Sequence, residues 1–149
     1  MKKRDWEYPY DLFIKGIAQK MRLLNEQKLK EYHLTAPQAL LLEILERLIR
    51  RGMEISRKNL QVPMNLKGSS VTNLLNGLEK KGCIIRSTGL TDGRTFQIQV
   101  TEKGLKLVRE METIFAATEN RLLQGMSGEE KQLFLNLLLR AYENLEPEG

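Results

Sequence analysis

Between residues 71 and 108 the spacing of apolar side chains changes twice, and that double change constrains the fold more than any other feature. Val71, Leu74, Leu75 and Leu78 recur with the 3.6-residue period of a helix that buries one face, and Gly82 follows as its natural stop. "CIIRST" (83–88) then reads as a strand. Phe96, Ile98 and Val100 alternate with Thr95, Gln97 and Gln99, the period of two expected of a strand with one buried face. Asp92-Gly93 between the strands is a hairpin-turn signal, because glycine accepts the positive φ such turns need. Thr101 closes the second strand and caps a return to helical spacing over 102–124, carried by Leu105, Val108, Met111, Phe115 and Leu122. Two strands set among helices give a mainly α chain with a small β-hairpin wing.

The flanking segments carry their own punctuation. Residues 10–33 hold Phe13, Ile17, Met21 and Leu24 at helical spacing. Thr35 and Gln38 form a capping box, with Pro37 in the first turn, ahead of a stripe of Leu41, Ile44, Leu45 and Leu48 that Gly52 ends. Ser56 is placed to cap a short helix that Pro63 ends or bends. Ser127 and Glu130 make a second capping box, followed by Leu133, Phe134, Leu137, Leu138, Ala141 and Tyr142. The expected order is helix, helix, short helix, helix, hairpin, helix, helix. The first and the last two helices have apolar stripes that nothing else in the chain is shaped to cover, so they pack on each other or on a second copy.

Charge and composition narrow the chemistry. Residues 46–109 carry 13 Lys/Arg against 5 Asp/Glu, whereas residues 110–149 carry 3 against 8. A basic middle on an acidic support points to a polyanion-binding module. No run approaches the roughly 18 apolar residues of a membrane span, and "MKKRDWEYPYDLF" lacks the apolar stretch of a signal peptide, so a cytoplasmic protein is expected. One cysteine, Cys83, excludes an intrachain disulfide framework; it reads as a small buried hydrophobe rather than an oxidation sensor. The single histidine, His33, builds no metal cluster and reads as a polar linker residue. "GLEKKGCI" (77–84) places Cys83 and Ile84 where a phosphate-binding loop needs Lys and Ser/Thr. No nucleophile–base–orienter set is present, so neither an enzyme nor a cofactor is expected.

A helix pair followed by a hairpin is a winged helix-turn-helix, whose second helix fits a DNA major groove. With Val71, Leu74, Leu75 and Leu78 facing inward, that helix turns Lys67, Ser69, Ser70, Thr72, Asn73 and Asn76 outward, toward base edges and phosphates. For Ser69 and Ser70, helix capping competes with DNA contact without excluding it. A wing beside that helix lies over the minor groove, where Arg94 can insert, braced by Asp92. The bland alternative is a solvated turn with a weak surface ion pair.

"DGRTFQIQVTEKG" resembles the wing of the MarR (multiple antibiotic resistance regulator) family through Asp92, Arg94, Ile98, Val100, Thr101 and Gly104. "NLLNGLEKKGCIIR" resembles its recognition-helix end and first wing strand through Leu78, Glu79, Lys80, Lys81, Gly82 and Arg86, and the order of elements agrees from about 8 to 145. The resemblance implies a single domain over 1–149: a winged helix-turn-helix over about 35–101, with dimerisation helices over about 8–33 and 102–145. It implies a homodimeric repressor of pseudo-palindromic double-stranded operators, its recognition helices roughly 34 Å apart, released by a small amphipathic or aromatic effector. By position, Arg57, Lys58, Lys67 and Arg86 become candidates for DNA-backbone contact or local bracing. Tyr8, Tyr10, Phe13, Tyr32 and Met53 become candidates for an effector pocket, with dimer-core packing as the competing role. Many relatives carry arginines where this chain has Asn73 and Asn76; asparagine can read adenine through N6 and N7. A winged helix that binds protein partners instead should expose apolar residues on the wing, and none is expected here.

Overall fold

Reciprocal capping sets the frame of the helices. Thr35 Oγ1 accepts from the Gln38 amide at 3.3 Å while Gln38 Oε1 accepts from the Thr35 amide at 3.1 Å, and Ser127 and Glu130 repeat the arrangement at the last helix. The computed structural model describes residues 6–64, 68–87 and 95–147. Its elements are α1 (Pro9–Leu29), a single 3-10 turn (Lys30–Tyr32), α2 (Ala36–Arg50), α3 (Arg57–Met64), α4 (Gly68–Lys80), β1 (Ile84–Arg86), β2 (Ile98–Val100), α5 (Glu102–Leu122) and α6 (Gly128–Asn144). The order is the one expected. The first helix gives way after Leu29 to the 3-10 turn, and the chain reverses at His33, which adopts a left-handed conformation with φ of 56°.

β1 and β2 pair antiparallel with Ile84 opposite Val100, Ile85 opposite Gln99 and Arg86 opposite Ile98. A third, very short edge adds to them: Ser56 forms a β-bridge with Thr95, and the Phe96 amide donates to the Ile55 carbonyl at 2.7 Å. The α2–α3 connection is thereby tied to the base of the wing, an attachment that alternation alone does not reveal.

The core of the winged-helix part joins Leu41, Leu42 and Leu45 of α2 to Leu60 of α3, Val71, Leu75 and Leu78 of α4, and Ile84 and Ile98 of the hairpin. The buried face of α5 is rotated from the expected stripe. Gly104, Val108, Met111 and Thr118 are buried, while Leu105 is 36% exposed. The cause is a close approach. A Cβ on Gly104 would overlap the Cys83 carbonyl oxygen and lie 2.7 Å from Val100 Cγ1, so this glycine must face the hairpin and its neighbour must turn away. α1 runs along α5, and their contact includes one polar pair, Thr118 Oγ1 donating to Asn25 Oδ1 at 2.6 Å.

α6 buries none of its residues against the rest of the chain. Leu133, Leu135, Leu137, Leu138, Leu139 and Tyr142 are 43–63% exposed, and Phe13, Ile14 and Ile17 of α1 are also open. Among the described residues no helix is long and apolar enough to cross a membrane.

Two glycine substitutions should move stability in opposite directions. Gly104→Ala is expected to cost about 2–3 kcal/mol through overpacking against backbone. Gly16→Ala, inside α1 with open space around the added methyl, is expected to add roughly 0.5–1 kcal/mol through helix propensity. Urea midpoints of the two variants against wild type check both signs.

Candidate nucleic-acid interface

The outward face of α4 exists because its inward face is fully committed. Val71, Leu75 and Leu78 are completely buried, which leaves Asn73 and Asn76 exposed and Ser70 and Thr72 half-buried at its flanks. The helix is anchored along its length. Gly77 lies against the Gln38 carboxamide, where a Cβ would come within 2.8 Å of Nε2. Gln38 Oε1 also accepts from Lys81 Nζ at 2.9 Å, and the same ammonium donates to the His33 carbonyl. At the end of α4, Thr101 Oγ1 donates to the Gly82 carbonyl at 2.6 Å and Lys103 Nζ to the Lys81 carbonyl at 2.6 Å. The carbonyls of the turn that follows α4 are thus satisfied by the start of α5, while those of Gly77, Leu78 and Glu79 accept from the Lys81, Cys83 and Gly82 amides.

Ser56 caps α3 as expected, its Oγ accepting from the Asn59 amide at 3.1 Å, while Asn59 Nδ2 donates to the Glu54 carbonyl at 2.7 Å. Arg57 reaches across three elements: its Nη1 donates to Thr72 Oγ1 at 3.3 Å, and its guanidinium lies 5.4 Å from the centre of the Phe96 ring. Lys58 beside it is exposed. Arg86 is turned onto the protein. Its Nη2 meets Glu79 Oε1 at 2.9 Å, its Nε meets Glu79 Oε2 at 3.3 Å, and Nη2 also donates to Asn76 Oδ1. The hydrogen bond from Arg86 holds the Glu79 carboxyl below the usual carboxylate range. The pair therefore persists at neutral pH and is lost only as acid titrates Glu79 through that lowered value. Of the two roles expected for Arg57 and Arg86, both make the bracing contacts.

Lys67, Asp92 and Arg94 lie outside the described residues, as does the side chain of Ser69. On the wing, Ile84 points into the core and Ile85 is 55% exposed. The expectation of no exposed apolar residue there is corrected, because strand alternation must turn one of two adjacent isoleucines outward. A single exposed isoleucine is ordinary for a soluble surface. Cys83 is fully buried, and burial pushes its thiol up.

The pocket candidates are not brought together. Tyr8 and Tyr10 are 70% and 83% exposed near the start of α1; Phe13 and Met53 are also exposed. Tyr32 donates from its hydroxyl to Glu110 Oε2 at 3.0 Å, which pushes its phenol up. A cavity of about 470 Å³ instead opens between α1, α2 and α5, lined by Met21, Arg22, Asn25, Leu40, Phe115 and Glu119. Tyr10 stands eight helical residues before Ala18, the first lining residue of α1, roughly 12 Å along the axis, and is not part of the lining. Asn25 and Glu119 carried no sequence signal, since only the packing of α1 on α5 brings them together.

The fold has counterparts among solved structures. Staphylococcus aureus MepR in complex with DNA is 28% identical, over 94% of this chain and 99% of that one, with a TM-score of 0.80. MepR in its DNA-binding conformation is 27% identical over 92% and 98%, with a TM-score of 0.79. A putative MarR family regulator from Listeria monocytogenes, complexed with a 26mer DNA, shares the fold at 21% identity over 89% and 85%, with a TM-score of 0.76. Residues 23–111 match the family model described as transcriptional regulator SarA/Rot. The chain belongs to the SarA/Rot family of transcriptional regulators and has the MarR-type winged-helix architecture.

Proposed function

We propose that this transcriptional regulator is a homodimeric, sequence-specific repressor that binds a pseudo-palindromic operator and is released from it by a small effector. The observation that carries the reading is α4. It is an anchored helix with a wholly buried inner face and an outer face of Ser70, Thr72, Asn73 and Asn76. Such a helix can enter a major groove and present short polar groups to base edges without rearranging. The likeness to MepR, whose structure was solved with DNA, supports this use. Lys67 and Ser69 are assigned to phosphates, and Arg94, two residues after Asp92 in sequence, to the minor groove. Lys58 is the exposed cation of α3 for backbone contact.

Dimerisation through α1, α5 and α6 accounts for the open leucines of α6 and for Phe13, Ile14 and Ile17, a larger exposed apolar set than a free chain normally carries. The effector site is the cavity between α1, α2 and α5. Phe115 and Met21 offer apolar contact there, while Arg22, Asn25 and Glu119 offer polar anchors. A ligand wedged there would press directly on α5, whose first turn holds the end of α4.

Fluorescence anisotropy on a labelled fragment of the gene's own upstream region tests the reading. Wild type is expected to bind selectively, with log affinity falling linearly with log salt. Arg94→Ala should weaken binding by roughly tenfold and lower the salt slope by about one. Equal binding to any DNA, or none at low salt, would sink the operator reading and favour a protein-interaction module. A second variant addresses assembly. Leu137→Glu places a charge on the open face of α6; sedimentation equilibrium should then report the mass of one chain instead of two, with operator affinity falling in parallel. A wild-type protein that sediments as a monomer would overturn the dimer.

A further inference from the structure

Arg57 is the first residue of α3, yet its side chain leaves that helix. Nη1 donates to Thr72 Oγ1 on the flank of α4 at 3.3 Å, and the guanidinium lies 5.4 Å from the centre of the Phe96 ring, just ahead of β2. Backbone contacts meet at the same place. Ser56 bridges to Thr95, and the Phe96 amide donates to the Ile55 carbonyl at 2.7 Å. Ile55 is itself buried, so this edge is fixed to the core. Residues 55–56 thus hold the returning strand of the wing through backbone, and Arg57 adds the link onward to α4. A planar guanidinium suits such a span: its face can lie toward a ring while its edge donates N–H groups elsewhere.

We infer that Arg57 is a positioning residue that sets the wing against the recognition helix, so that the two DNA-contacting elements engage as one unit. This rests on the operator-binding reading above. Arg94 precedes Thr95 by one residue, so whatever holds Thr95 and Phe96 limits where the arm bearing Arg94 is rooted. A helix in the major groove and an arm in the adjacent minor groove must be placed together. Any looseness between them has to be frozen out on binding, and a brace formed in the free protein removes that cost. Arg57 therefore contributes through Arg94 and not through a phosphate of its own. Lys58, the next residue, is the exposed cation left for that direct contact.

The test is a double-mutant cycle on the labelled upstream fragment, with wild type, Arg57→Met, Arg94→Ala and the double variant titrated by anisotropy across a salt series. Arg57→Met should weaken binding several-fold, and by no more than Arg94→Ala does. The double variant should match Arg94→Ala alone, both in affinity and in salt slope. Lys58→Met, by contrast, should lower the slope by about one in either background, as the loss of a direct phosphate contact does. Arg57→Lys keeps the charge but offers one ammonium to two partners, so most of the loss should remain. Additive losses in the double variant, with the slope lower by about one more, would put Arg57 on a phosphate and end the assignment. Full recovery in Arg57→Lys would end it too, since charge alone would then suffice.

Amide hydrogen exchange on the free protein separates the brace from the operator reading. The Phe96 amide should exchange several-fold faster in Arg57→Met, while the Thr101 amide, which donates to the Cys83 carbonyl at the far end of the hairpin, keeps its rate. Faster exchange at both amides, with a lower urea midpoint, would make Arg57 a stability residue only. An unchanged Phe96 amide would remove the brace, whatever the protein did on DNA. If wild type bound no DNA, the positioning role would fall with the operator reading, while exchange would still report the brace.

Discussion

The contact on which the rest of the structure depends is the seating of the first turn of α5 on the end of α4. Gly104 allows it, because any side chain there would collide with the Cys83 carbonyl. Once the backbones are that close, the Thr101 amide and hydroxyl reach the Cys83 and Gly82 carbonyls, and Lys103 reaches the Lys81 carbonyl. Thr101 caps its own helix in the same geometry, accepting from the Gly104 amide at 3.1 Å. One threonine and one glycine three residues apart thus start one helix and fasten the turn that follows another. Satisfying exposed carbonyls with donors from a rigid neighbour leaves the recognition helix little freedom to slide or fray.

That seating makes α5 a lever. The helix is 21 residues long, roughly 30 Å. Its first turn holds the reading helix, its middle lines the cavity at Phe115 and Glu119, and its last turn leads to the open face of α6. Packed helices shift as units more readily than they bend, so on the proposed reading a ligand at Phe115 would act on the turn after α4 through a single element. Gln38 supplies the second restraint. It caps α2, lies on Gly77 and holds Lys81, so the α2 and α5 sides grip the same helix from opposite directions.

How much of this could be read from the chain follows from the range of each interaction. Thr35, Ser56, Thr101 and Ser127 cap within three residues of themselves, and local spacing identified all four. Alternation assigned Ile98 and the helix period assigned Val71, Leu75 and Leu78, because burial follows a period wherever one face is covered. The failures are tertiary. Leu105 fits the period and is still exposed, since the close approach at Gly104 sets the rotation of α5. The cavity residues lie on three helices and share no spacing, whereas the aromatic cluster near residues 8–13 is a pocket candidate only through the family resemblance. Gly77 was a legible sign that went unused: a glycine inside a helical pattern marks a neighbour that comes too close for a side chain.

The positive charge of residues 46–109 acts in two ways that a count cannot separate. Arg86 is neutralised by Glu79, so its charge contributes little beyond the pair. Lys81 and Lys103 donate to carbonyls and a carboxamide, and these partners carry no net charge. Their cations are held in place but not cancelled. At a Debye length of about 8 Å such fixed charges still raise the local concentration of a polyanion without touching it. Contact and attraction are therefore divided. On the proposed reading the braced cations orient the helix and supply the field, leaving the short polar face of α4 to choose the sequence. A recognition helix that carries asparagines instead of arginines can afford that exchange, because the attraction it gives up is provided by the scaffold that holds it.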